Sequence, residues 1–152
     1  MKNPIKFFSI AAAAVTASIC ALALSACADN TVYDDDYKII NSKSLYTVMY
    51  RSTQIGSKRS ISAKVFTGVD TLYTFDAATG ITLSYEAELT SGRLKLVICD
   101  DETVINVFEC TAESAATSAE NEKISLGAGE YRLCLVGDSA EFKISSLTYT
   151  VN

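Results

Sequence analysis

A strict alternation of apolar and polar residues limits what this chain can fold into. It is cleanest between residues 81 and 90, where every second residue is apolar and the residues between them are polar. The apolar set is Ile81, Leu83, Tyr85, Ala87 and Leu89. Successive side chains of a β-strand point to opposite faces, so the pattern predicts an antiparallel strand with one buried and one solvent-exposed face.

Similar segments recur between residues 45 and 152, separated by residues that favour turns. The predicted turns are 67–70, 77–80, 91–92, 100–102, 127–129 and 137–138. We therefore predict an all-β fold, an antiparallel β-sandwich of jelly-roll-like form with about eight to nine short strands. Thr111 to Glu122 is predicted to be a loop, because Ser and Thr weaken its helical propensity.

The last predicted strand changes its apolar phase part-way along. Phe142 and Ile144 occupy even positions, whereas Leu147 and Tyr149 occupy odd ones. One extra residue near Ser145-Ser146 restores the register, so we predict a β-bulge there.

The amino-terminal residues have the three parts of a secretory signal peptide, which we expect to be helical. A positively charged start precedes an apolar run over residues 7–24, and small residues follow. The tetrapeptide Leu24-Ser25-Ala26-Cys27 resembles the bacterial lipobox. That resemblance implies cleavage before Cys27, a diacylglycerol on its thiol and an extracytoplasmic protein anchored to a membrane. A plain transmembrane anchor and an ordinary signal peptide remain the alternatives.

The chain then divides into three parts. Residues 1–26 are the predicted lipoprotein signal peptide, 27–44 an acidic flexible tether, and 45–152 a single β-sandwich domain. The 126 residues from Cys27 onward suffice for one domain with a modest core and not for two.

Charge excludes one class of partner and is distributed unevenly. From Ala28 onward there are 11 Lys and Arg against 18 Asp and Glu, a net charge of −7, which argues against nucleic acid. Residues 37–69 hold no acid, and their cations are Lys38, Lys43, Arg51, Lys58, Arg59 and Lys64. Two interpretations stay open: ion pairing across the sheet, or a basic edge that faces an anionic surface polymer or the membrane.

Histidine is absent, which removes Ser-His-Asp and Cys-His catalysis and histidine-ligated zinc. The sole enzyme class left is a hydrolase that uses carboxylates alone. Glu86 and Glu88 share one strand face, roughly 6.5–7 Å apart by strand rise, which suits acid/base work on a glycosidic bond. We favour a solvated face instead, and expect no enzymatic activity.

The sequence leaves open the state of three cysteines and the role of one acidic turn. Three cysteines follow Cys27, and we favour Cys99, Cys110 and Cys134 as buried small hydrophobes over a Cys99–Cys134 disulfide. A metal site made by all three comes last, since no CxxC spacing exists. The Asp100-Asp101-Glu102 turn is a weak calcium candidate against a plain turn. We expect no other cofactor or metal.

The second half also resembles small bacterial accessory β-sandwiches, of which the pre-peptidase C-terminal domain is the best known. The resemblance lies in a strand that ends in an acidic turn, Leu94 to Asp101, and in the segment Leu126 to Leu133 with its Gly129-Glu130-Tyr131. Residues 60–152 are also similar to small secreted lipoproteins of anaerobic bacteria. The resemblance to the pre-peptidase C-terminal domain implies an appended, non-catalytic module.

Together these features favour a cell-surface lipoprotein that carries a non-catalytic binding or interaction module. The membrane, through the lipid, is one expected partner, and a glycan, the envelope or an envelope protein is the other. The alternatives are a structural lipoprotein that self-associates through edge strands and a carboxylate-only hydrolase.

Overall fold

A computed structural model describes residues 31–112 and 116–152. The predicted signal peptide and the lipidation site Cys27 lie outside these residues. A 3-10 helix, Val32–Asp34, precedes helix α1, Asp36–Asn41. The strands are β1 Leu45–Val48, β2 Arg51–Ile55, β3 Lys58–Ala77, β4 Gly80–Cys99, β5 Val104–Cys110, β6 Thr117–Ser125 and β7 Gly129–Val151. In this described part of the chain, no helix is long and apolar enough to span a membrane.

Every strand pairing is antiparallel, which confirms the predicted all-β class. Strand β7 lies at the centre, with β3 on one side and β4 on the other. The second edge of β3 pairs with β1 and β2, and the second edge of β4 pairs with β5 and β6.

The long central strands fold the sheet onto itself. Fully extended, the 23 residues of β7 would span about 75 Å at the usual rise. Yet Ala77 pairs with Gly129 and Ile81 pairs with Val151, so both ends of β7 meet the short β3–β4 turn. The Asn152 N–H also donates to the Gly80 carbonyl at 2.8 Å. The sheet therefore doubles back into two layers, as the predicted sandwich requires.

We call the two layers A and B. Layer A contains β2, β6 and residues 58–63, 80–89 and 142–151; layer B contains β1, β5 and residues 66–77, 91–99 and 129–140. Buried side chains from both layers form the core between them, among them Phe66, Leu83, Leu96, Leu133, Ile144 and Leu147. The apolar set predicted from Ile81 to Leu89 is buried here, which confirms its assignment to the core face.

Three predicted turns are wrong, because the strands bend there without ending. Residues 67–70, 91–92 and 137–138 lie inside β3, β4 and β7. At the β4 bend, Gly92 has φ +76, and a Cβ on it would lie 2.3 Å from the Ser139 carbonyl oxygen. Glycine there allows the backbones of the paired strands β4 and β7 to approach closely where both bend. Residues 31–112 and 116–152 consequently form seven strands, three of them 20 residues or longer, in place of eight or nine short ones.

Other local predictions divide in the same way. The bulge is confirmed, since Glu86 pairs with Ser146 and Ala87 with Ile144, which leaves Ser145 as the extra residue. The turns at 77–80 and 100–102 are also confirmed. The loop predicted from residue 111 to residue 122 is wrong from Thr117 onward, because β6 begins there and pairs along the first half of β4. Pairing with a neighbouring strand outweighs weak local propensity there.

The segment before β1 is packed on the sheet. Residues 32–41, which we call the strap, cover the outer face of layer B, and Ile39 is only 1% exposed. The flexible tether predicted for residues 27–44 is therefore wrong for this part, and the compact unit begins at Val32. Its acids have structural partners: Asp35 caps α1 by accepting from the Lys38 N–H, and Asp34 pairs with Arg93.

Candidate functional site

The two outer faces of the sandwich differ in what covers them. On layer B, the strap places the Tyr33 ring 4.4 Å from the Arg93 guanidinium and 4.5 Å from Lys95 Nζ. Arg93 also donates to both carboxylate oxygens of Asp34 at 2.9 and 2.8 Å, and to Asp138 at 2.9 Å. Both described helices pack on layer B, so we call the solvent-facing side of layer A the open face.

One row of polar residues crosses the open face over four strands. Arg51, Ser62, Lys143 and Glu88 are direct partners in turn on β2, β3, β7 and β4. Directly opposed residues project on the same side of a sheet, and neighbouring strands lie about 4.8 Å apart. Arg51 and Lys143 therefore flank Ser62 on its two sides. We call these four residues the charged row.

A second row runs beside the first and is dominated by hydroxyl groups. Thr53 is the direct partner of Ser60, whose hydroxyl donates to the Ser145 carbonyl at 2.9 Å. The Ser145 hydroxyl in turn donates to the Glu86 carboxylate. We call these four residues the hydroxyl row. The bulge at Ser145 brings its hydroxyl within reach of Glu86.

Two shallow depressions follow these rows and share three of the residues. The smaller, about 290 Å³, is lined by Arg51, Thr53, Ser60, Ile61, Ser62, Lys143, Ile144 and Ser145. The larger, about 420 Å³, is lined by Met49, Arg51, Ser62, Ala63, Lys64, Glu88, Thr90, Glu141, Phe142 and Lys143. Because they share Arg51, Ser62 and Lys143, the two depressions form one open groove across the charged row.

Ion pairing is unequal along this groove. Lys64 pairs with Glu141. Arg51 and Lys143 make no ion pair with any carboxylate in residues 31–112 and 116–152. Two cations on the open face thus keep their charge available for a ligand.

The carboxylate pair predicted from the sequence lies on the same face, but it is divided between the rows. Glu86 accepts from Ser145, and Glu88 stands opposite Lys143. Both side chains are exposed on an open surface. Glycoside hydrolysis needs two carboxyl groups that flank a bound sugar, and this arrangement favours the solvated-face interpretation.

The acidic turn after β4 uses its carboxylate within the turn. Asp100 Oδ1 accepts from the N–H groups of Glu102 and Thr103 at 2.8 and 2.6 Å, and these bonds lower the pKa of Asp100. Asp101 instead reaches Arg132, at 3.4 Å. In the described residues, no three His, Cys, Asp or Glu side chains are arranged to hold a metal ion.

The three cysteines that follow Cys27 are buried and free. Cys99 and Cys134 lie beneath the strap, in the apolar cluster that contains Ile39. Val97 is the direct partner of Cys134, so Cys99 lies diagonally across from it. The two neighbouring thiols perturb each other, which raises the pKa of Cys99 and lowers the pKa of Cys134, and Thr71 Oγ1 lies 3.7 Å from the Cys134 sulfur.

Sequence reasoning did not identify the charged row. In the sequence, Arg51 is one of six cations in the basic stretch over residues 37–69, and Ser62 and Lys143 are ordinary polar residues of alternating segments. The three residues come from three separate strands, and only the register brings them together. A signal was present in the alternation, since each is the polar neighbour of a core residue.

Comparisons with known proteins add little to this geometry. No protein-family model matches the chain, and no curated protein matches it. A solved structure that aligns with it is the C-terminal CBM6 of LamC, a marine laminarinase from Zobellia galactanivorans. The alignment covers 74% of this chain and 95% of that one, at 14% identity and a TM-score of 0.44. A likeness at this level says nothing about what this chain binds.

Proposed function

We propose that the protein is a non-catalytic module that binds an extended glycan along the open face of layer A. The observation that carries the proposal is the pair of adjacent rows, charged and hydroxyl, which cross four strands beside one open groove. Sugars present hydroxyl groups that both donate and accept, so a binding surface for them needs closely spaced polar partners of both kinds. An uncovered groove accepts a long polymer at any point along its length.

The composition of the groove favours a glycan over a protein partner. Protein interfaces have apolar and aromatic centres from which charged residues are depleted. Among the described large hydrophobic residues that are exposed, only Met49 lines this groove. Most of the residues that line it carry a charge or a hydroxyl group.

Lipid attachment at Cys27 would hold the module at a membrane surface, and we include it in the proposal. Tethering raises the effective concentration of a module near a surface polymer, so weak individual contacts suffice. Metabolic labelling with a clickable palmitate analogue tests the anchor. Cys27→Ala should abolish the label and Cys20→Ala should retain it; label on the Cys27→Ala protein would contradict the anchor.

Glycan binding is tested by affinity electrophoresis of the full chain through gels that contain single soluble polysaccharides. Ser62→Tyr places a bulky side chain in the centre of the charged row and should weaken retardation about tenfold, the equivalent of one good polar contact. Ser125→Tyr, on exposed β6 at the far edge of layer A, is the matched control and should bind as the unaltered protein does. Equal binding by both variants would refute the proposed site.

A second candidate, self-association, has an observation of its own. All five residues of β2 are exposed, and the exposed hydrophobic residues on or beside β1 and β2 are Leu45, Tyr46, Val48, Met49 and Ile55. An exposed apolar edge strand is a template for pairing with another chain. Sedimentation equilibrium should then show dimers that Ile55→Lys disrupts. A monomer at all concentrations would exclude this candidate.

A further inference from the structure

We infer that the charged row is an anion-binding site, so that the glycan bound on the open face is an acidic polysaccharide carrying carboxylates or sulfate esters. The inference rests on the proposed function, because it names the ligand class of the same site. It goes beyond that proposal in requiring a negative charge on the ligand and in assigning that charge to Arg51 and Lys143.

The strand register places the two cations of this anion-binding site beside each other. Arg51 and Lys143 are the two direct partners of Ser62, one on each side, so their Cα atoms lie about 10 Å apart across three strands. Both side chains are long enough to converge above the Ser62 hydroxyl. An anion held there receives a planar guanidinium, which binds carboxylate and sulfate oxygens in pairs, together with an ammonium and a hydroxyl donor.

The smaller depression has the positive charge that an anion-binding site needs. Its lining contains two cations, Arg51 and Lys143, and no acid. Its remaining polar side chains are hydroxyl groups from Thr53, Ser60, Ser62 and Ser145. Glu88 belongs to the larger depression, on the far side of Lys143. One end of the groove is therefore positive, and the other end is mixed in charge.

The surrounding protein makes this positive patch selective. The chain from Ala28 onward has a net charge of −7, so its overall field repels polyanions. Any attraction of an acidic polymer must come from a local arrangement. Lys64 does not provide one, because Glu141 neutralises it. Arg51 and Lys143 can, because both line the smaller depression and neither makes an ion pair within the described residues.

The hydroxyl row selects a glycan over other anions. An anionic membrane needs only charge and apolar side chains from the protein, and an acidic protein partner needs an apolar centre. Here the two cations stand next to Thr53, Ser60 and Ser145, which offer polar contacts to the sugar on either side of the charged substituent.

The test measures binding of the full chain, purified in detergent, to chemically matched polymers by isothermal titration calorimetry. Polygalacturonate is compared with its methyl ester, and dextran sulfate with dextran. We expect the charged member of at least one pair to bind about tenfold more tightly, with a preference that shrinks at high salt. The two pairs distinguish a carboxylate ligand from a sulfate ligand.

Variants assign that preference to the charged row. Arg51→Gln and Lys143→Gln should each reduce affinity for the charged polymer about threefold to tenfold, and the double variant should abolish the preference while binding to the neutral polymer persists. Lys123→Gln is the matched control, since Lys123 is exposed on β6, away from the row. It should change nothing, and circular dichroism should show all four variants folded.

Three outcomes overturn the inference. If charged and neutral polymers bind equally and Ser62→Tyr still weakens their binding, the anion-binding site is refuted and the proposed function stands. No binding of any polymer removes the proposed function as well. The protein could instead bind anionic lipid vesicles or poly-glutamate through Arg51 and Lys143 and bind no acidic polysaccharide. That result would keep the two cations as an anion-binding site and refute a glycan as the ligand.

Discussion

Replacing Ile39 by alanine should destabilise the domain by about 3 kcal/mol. Ile39 is 1% exposed and lies in the cluster between the strap and layer B. The substitution removes three buried carbon groups at about 0.8 kcal/mol each and leaves a cavity, which puts the expected cost in the range of about 2–5 kcal/mol. The strap lies at the surface and can partly close the cavity, so the lower half of that range applies. For a domain of this size, the melting temperature should fall by about 10 °C.

Urea denaturation of the chain from Ala28 onward, followed by circular dichroism, measures this loss. Tyr37→Ala is the matched control, because Tyr37 belongs to the same helix and is 75% exposed. It should change stability by less than about 0.5 kcal/mol. If Ile39→Ala also stayed within that margin, residues 32–41 would be a flexible tether after all, and the strap would not exist in solution.

Three further predictions address the bends, alkaline stability and the thiols. Gly92→Ala should cost about 2 kcal/mol or more by urea denaturation, because both its φ and its neighbours exclude a Cβ. Gly56→Ala, with φ +61 and nothing within 4 Å of a Cβ, should cost about 1 kcal/mol. Equal losses would argue against the close backbone approach at Gly92. Burial raises the pKa of Tyr33 from 10.0 to about 12, so the free energy of unfolding should fall as pH rises through that interval. The fall should be less steep in Tyr33→Phe. Identical pH dependence in the two proteins would contradict this. Cys99 and Cys134 are diagonal neighbours on paired strands, where Cα atoms lie about 7–8 Å apart, which exceeds what a disulfide spans. Both thiols should therefore be alkylated when the protein is unfolded without reductant. A protein whose mass is two units lower, and in which these two cysteines stay unalkylated, would contain a disulfide.

The sequence predicted the parts of the fold that depend on local alternation. The buried set from Ile81 to Leu89 and the bulge at Ser145 both follow from the period of two, because a buried face fixes the register of a strand. The bends did not follow. Glycine at a positive φ serves a hairpin turn and a bend within a strand equally well, so Gly92 alone does not distinguish them.

Long-range packing accounts for what the sequence did not predict. The strap looked like a solvated tether because it is acidic, yet Asp34 and Asp35 serve as an ion-pair partner and a helix cap. Its only strong hydrophobic signal was the doublet Ile39-Ile40. The charged row was equally hidden, because residues 51, 62 and 143 become neighbours only through the pairing of β2, β3 and β7.

The central claim is that the open face of layer A binds a glycan. Amide chemical-shift mapping of the isotopically labelled chain from Ala28 onward, titrated with oligogalacturonate, tests it residue by residue. The account predicts shifts concentrated at Arg51, Ser60, Ser62, Lys143 and Ser145, with the strap unaffected. Shifts confined to the strap, to the exposed edge of β2 or to the Asp100 turn would contradict it.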